Sequence, residues 1–182
     1  QYYVVTPSKC AYIGMDAVLK NYEDRFVLCD GVQKLDEELT VFSAVPGREL
    51  WSGANDTLRE KIGEDYPRDT FCHEQDLLVT ENGKTALFAG CAHCGIVNIL
   101  KSAEGVLGRA PDAVFAGFHL YNPSLGKSEP DELVDAVGEK LRGDKVAHYF
   151  TGHCTGKEAY ERLKRKLGDR LGEMPAGSDF TV

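Results

Sequence analysis

Apolar positions come in two rhythms, and the change falls near residue 95. Upstream of it, Tyr2–Thr6, Arg25–Cys29, Leu39–Val45 and Leu77–Thr80 are runs rich in β-branched and aromatic residues with polar flanks, and they read as strands. Glu81-Asn82-Gly83-Lys84 links Leu77–Thr80 to another such run, Thr85–Ala89, through the Asn-Gly pair favoured in tight hairpins. Val45-Pro46-Gly47 marks a turn, and the polar stretch from Trp51 to Asp69 leaves room for one short helix near Asp56–Ile62. Downstream the spacing turns helical. Ile96, Ile99 and Leu100 share a face, and Gly105 or Gly108 can end that helix. Strand Ala113–Ala116 follows, then a loop through Tyr121–Gly126. The next helix takes Ser128 as N-cap and Pro130 in its first turn, with Leu133, Val134, Val137 and Leu141 inward. After strand Lys145–Phe150, Thr155-Gly-Lys-Glu158 has the form of a capping box opening the last helix. Leu163 and Leu167 face inward there, Gly168 stops the helix, and Asp179–Val182 reads as a last short strand. The order predicts an α/β domain spanning residues 1–182: sheet first, then strand–helix alternation.

Three of these strands end alike. Thr85–Gly90 runs into Cys91-Ala92-His93-Cys94, Ala113–Gly117 into Phe118-His119, and His148–Gly152 into His153-Cys154. Ligands of open α/β sheets gather where strands end at their carboxyl edge, and glycine lets the backbone come close to a bound group. Soft and borderline donors delivered three times to one rim point to a metal site. His148 lies within its strand and reads as structural. Cys94 and Cys154 read as small packing residues behind the ligands, and Glu74 and Asp76 as polar residues at a strand entry.

The cysteine pattern sharpens this. Of six cysteines, Cys72, Cys94 and Cys154 lie beside a histidine and Cys91 one residue removed from one, a distribution suited to metal or catalytic work in a reducing, cytoplasmic setting. Cys10 and Cys29 sit among apolar residues and are expected to be plain buried thiols. A net charge of -8 disfavours a nucleic-acid surface. The basic run Arg162–Lys166 reads as the solvated face of a helix. No apolar stretch reaches the roughly 20 residues that span a bilayer, so no membrane role is expected.

Phe71-Cys72-His73 before a strand, Gly90-Cys91 after one, and Gly152-His153 after a late one resemble the third, fourth and fifth metal motifs of the metallo-β-lactamase superfamily. More narrowly, His73-Glu74-Gln75, Gly90-Cys91-Ala92-His93, Gly117-Phe118-His119-Leu120 and Gly152-His153-Cys154-Thr155-Gly156 are similar to a branch named for a dihydropterin–ribofuranosyl-aminobenzene phosphate synthase. The resemblance implies an αββα sandwich and a metal-dependent hydrolase in which metal-bound hydroxide attacks an ester, phosphodiester or related bond. It implies zinc, with iron or manganese as alternatives, in a two-metal site. The ligands it implies are His73, Cys91 or His93, and His153. His119 and Gly156 are placed beside the substrate or behind the ligands, and the helix entry at Gly156 suits a small, phosphorylated substrate.

The superfamily's His-x-His-x-Asp-His signature is absent from this sequence, whose five histidines are His73, His93, His119, His148 and His153. The chain is therefore expected to be a C-terminal portion, lacking its first strands and main ligand loop and inactive alone. An upstream region or another chain would complete the site. Two other readings stay open: a non-catalytic metal- or ligand-binding module, and a structural or redox centre. The centre would use Cys91 and Cys94, with His153-Cys154 as a second pair or with the two cysteines oxidised together.

Overall fold

The computed structural model describes residues 1–182, except for the side chain of His153. In chain order the strands are β1 (Tyr2–Thr6), β2 (Lys9–Tyr12), β3 (Gln33–Lys34), β4 (Leu39–Ser43), β5 (Leu58–Glu60), β6 (Gln75–Glu81) and β7 (Lys84–Phe88). Then come α1 (Ile96–Leu107), β8 (Ala113–Ala116), β9 (Tyr121–Asn122), β10 (Lys127–Ser128), α2 (Asp131–Gly143), β11 (His148–Thr151), α3 (Lys157–Leu167) and β12 (Leu171–Glu173).

A seven-stranded sheet runs in the order β12-β11-β8-β7-β6-β4-β3. The Asn82-Gly83 hairpin makes β6 and β7 antiparallel, as are β4 on β6 and β3 on β4. From β7 onward the pairs are parallel. Parallel neighbours need a crossover, and α1, α2 and α3 provide one each. This is why the hydrophobic period changes near residue 95.

Register puts Leu78, Leu87, Val114, Tyr149 and Leu171 in one cross-strand row, and none is more than 1% exposed. Ile99 and Ala103 of α1, Val134 and Leu141 of α2, and Leu163 of α3 belong to the same core. Arg162 pairs with Asp131 and Asp135, and Lys166 with Glu139, which ties α3 to α2 at its solvated edge.

The alternate row, Val41, Leu77, Phe88, Phe115 and Phe150, faces the other way. Phe88 stacks on Phe115 at 4.8 Å and Phe115 on Phe150 at 4.9 Å, with Phe180 of the C-terminal tail 4.3 Å from Phe150. Phe88 nevertheless stays 41% exposed. A sheet apolar on both faces is the kind that is covered on both.

A three-stranded sheet, β2-β1-β5, and the β9-β10 pair stand apart from the main sheet. Several sequence expectations fail in these irregular regions. Arg25–Cys29 is not a strand: a 3-10 segment, Ala17–Arg25, precedes it, no strand pairs with it, and Val27 and Leu28 are exposed. The short helix near Asp56–Ile62 is instead a 3-10 turn at Gly53–Thr57, because Ser52 caps it early by accepting from Ala54 N, and β5 then begins. Asp179–Val182 forms no strand, since β12 already holds the edge beside β11.

The expected caps fail too. Helix α2 starts after Pro130, while Ser128 donates to Glu158 at 2.8 Å. Helix α3 is capped by Gly156, because the Thr155 hydroxyl is engaged by Phe118 N and Thr151. Cys10 is exposed and Cys29 partly so, rather than buried.

Candidate metal centre

The β7 exit forms a tight loop. Ala92 (φ 56°) and Gly95 (φ 86°) adopt left-handed dihedrals on either side of His93 and Cys94. Their successive amides both point at Glu74, His93 N donating to Oε1 at 2.6 Å and Cys94 N to Oε2 at 2.7 Å. Asn98, on the first turn of α1, donates to Cys94 O at 2.8 Å. The loop is thus held from β6 on one side and α1 on the other.

This fixes the His93 ring. It stacks on Phe71 at 4.6 Å and 7°, and meets the His119 ring edge-on at 4.1 Å. Its Nδ1 lies 3.0 Å from Asn55 Oδ1. His119, buried at the β8 exit, is also left-handed (φ 44°), and its carbonyl accepts from Ser52 at 2.6 Å. Phe71 (φ 55°) completes a trio of strained non-glycine residues. Such strain costs about 1–3 kcal/mol each and collects at functional sites.

Cys91 is half-buried beside them. The neighbouring Cys154 thiol, and then the nearby His93 ring, draw its thiol far below the ordinary range, while the same pairing pushes Cys154 up. Cys94 turns away: its thiol donates to Phe71 O, and burial raises it. Cys154 Sγ meets Cys91 O at 3.7 Å while Cys94 Sγ is turned to Phe71 O, so this arrangement gives the structural or redox pair read from Cys91-x-x-Cys94 no added support. Among the described residues, no three His, Cys, Asp or Glu side chains form a group able to hold a metal. The His153 side chain lies outside the described residues.

Only one of the three strand-exit glycines needs to be glycine for space. A Cβ on Gly117 would collide with Cys154 Sγ and sit 3.3 Å from the Cys91 Cα, whereas Gly90 has nothing within 4 Å and Gly152 only an ordinary contact with Met174. Gly117→Ala is expected to cost about 1–3 kcal/mol, read by urea unfolding, because backbone must move to admit the methyl.

His73, ahead of β6, stacks on Tyr2 at 4.0 Å, and its Nδ1 lies 3.7 Å from Asp69. His73, His93 and His119 line one cavity of about 770 Å³, with Asp69 and Asn122 among its polar groups and Met15, Phe26 and Leu28 in its apolar wall. Gly156 is not part of it: this residue (φ 76°) caps α3, and a Cβ added to it would collide with Tyr121. His148 is exposed on β11, its ring 6.2 Å from that of Phe150. The sequence reading missed Asn55, Ser52 and Asp69, which belong to no spacing motif and reach the site only through the tertiary fold; Phe71 lies in the motif ahead of His73, but was not read as the residue that stacks on His93.

No family model and no curated protein matches the chain. A solved structure does: Tm1679, a metal-dependent hydrolase of the beta-lactamase superfamily, matches with a TM-score of 0.71 at 20% identity, over 85% of this chain. At that identity the likeness is one of fold, and the mixed sheet with its helical layer is metallo-β-lactamase-like. The chain spans 57% of the length of Tm1679.

Proposed function

We propose that this chain forms one wall of a metal-dependent hydrolase centre, with His93 as its principal ligand and Cys91, His73 and His153 as the other donors. The observation that carries the reading is the contact of the His93 and His119 rings at adjacent strand exits, beside Cys91 and open to the shared cavity. The fold shared with Tm1679 supports it.

The donors present fit part of such a centre. An imidazole with Nδ1 engaged offers Nε2, and a thiol drawn toward thiolate is a ready ligand. Nitrogen and sulfur together suit zinc, with iron or manganese as alternatives. A bound metal would lower the pKa of water and polarise the scissile group. This chain's own contribution is to orient His93 against Phe71, to set His119 where it can meet substrate, and to enclose a small molecule with an apolar portion against Met15, Phe26 and Leu28.

The narrower branch, with a phosphorylated substrate, is part of the proposal. So is completion of the site by a region upstream of Gln1 or by another chain, because these donors are too few for two metals. The apolar sheet face around Phe88 suits a second sheet supplied that way. A cytoplasmic setting accords with six unpaired cysteines. No helix of the described residues is long and apolar enough to cross a membrane.

The test is an assay of the intact protein, with its upstream region, loaded with zinc, iron or manganese and given phosphodiester, ester and lactam substrates. Hydrolysis is expected, and His93→Ala should reduce it by at least about 100-fold, more than loss of an outer partner does. An intact protein that takes up metal but cleaves none of these, at any metal loading, would overturn the hydrolase reading.

A further inference from the structure

Asn55, buried in the Gly53–Thr57 turn, meets His93 twice. Its Nδ2 donates to the His93 carbonyl at 2.9 Å, and its Oδ1 lies 3.0 Å from His93 Nδ1. A carbonyl oxygen only accepts, so the first bond settles which end of the amide carries hydrogens. Oδ1 must then be the atom facing the ring, and it too only accepts. The proton of that second bond has to come from Nδ1. A neutral imidazole has one N–H, so Nε2 is left with its lone pair.

We infer that Asn55 is a positioning residue that locks His93 in its Nδ1–H tautomer and so prepares Nε2 as a metal donor. The inference deepens the proposed function and rests on it only for what Nε2 binds; the lock stands on the hydrogen bonds alone. The turn that carries Asn55 is itself anchored. Asn122 donates to Ala54 O at 3.0 Å and to Thr57 at 3.2 Å, and Ser52 bonds the His119 carbonyl. One short segment therefore holds both ring-bearing loops, and it lies in the stretch of sequence with no metal motif. Phe71 stacked on the His93 ring prevents the imidazole from turning away from its partner.

The test is a long-range ¹H–¹⁵N correlation of the histidine rings in the labelled chain, at a pH where the imidazoles are neutral, with His93→Gln assigning the signal. The expected wild-type pattern has Nδ1 protonated and Nε2 bare, the reverse of the tautomer free histidine prefers. Asn55→Leu should move the signal to the Nε2–H pattern. Asn55→Asp, which keeps an acceptor at Oδ1, should retain Nδ1–H. In the intact protein Asn55→Leu should weaken zinc binding by about 10- to 100-fold, the usual effect of removing an outer partner of a ligating histidine. An Nε2–H ring in the wild type, or an Nδ1–H ring unchanged in folded Asn55→Leu, would overturn the lock. If Asn55→Leu does not fold, the wild-type and Asn55→Asp spectra decide. A wild-type Nδ1–H ring in an intact protein that binds no zinc would uphold the lock and sink the metal reading.

Discussion

Asp76→Asn is expected to stabilise the folded chain by about 3–5 kcal/mol at pH 8 and by almost nothing near pH 4. Asp76 is 1% exposed, and neither carboxyl oxygen has a hydrogen-bond partner. Burial, and then the nearby Glu74 charge, push its pKa up to about 8. The unfolded chain releases that proton near pH 4. Between about pH 4 and 8 the unfolded state therefore binds fewer protons than the native state, so stability falls as pH rises and levels off once the native carboxyl ionises. A shift of about four units corresponds to roughly 5 kcal/mol, and an unpartnered buried amide gives back part of that. Glu49 and Asp135, held low by lysine or arginine partners, contribute in the opposite sense, but equally in both proteins. Urea unfolding of the two proteins across this range is the measurement. Parallel pH profiles would contradict the assignment of the slope to Asp76.

Glu74→Ala is expected to cost about 2–4 kcal/mol and to release the loop that carries His93. One carboxylate here accepts from two successive backbone amides. Hydrogen bonds to a charged group contribute about 1.5–3 kcal/mol each, and the half-buried position lets water recover part of that loss. Glu74→Gln keeps one acceptor oxygen and should lose about half as much. Urea unfolding gives the stability, and exchange broadening of the His93 ring signals reports the freed loop. A loss below about 0.5 kcal/mol, with sharp His93 signals, would show that Asn98 and Asn55 hold the loop without Glu74.

Strands and helices that bury a face were legible from the sequence. The Asn82-Gly83 hairpin, α1 with its end at Gly108, and the alternation of β8, α2, β11 and α3 follow from period and turn chemistry. What failed depended on partners elsewhere. Arg25–Cys29 has strand composition but no neighbour to pair with, and Ser128 and Thr155 have cap chemistry that other groups engage. Around the shared cavity, His93 and His119 were legible because strand-end glycines point to them, and His73 because it precedes a strand in a pattern that resembles a known motif. Glu74 read as a polar strand entry, yet its carboxylate holds the loop that carries His93. Asn55 and Ser52 reach the rings from a distant segment, and no spacing rule carries that.

The most direct test of the proposed metal centre is elemental analysis of the intact protein, with any region encoded upstream of Gln1, beside its His93→Ala variant. Zinc, iron or manganese bound in stoichiometric amount and lost from the variant is the predicted result. A metal-free intact protein, or equal metal in both, would contradict it.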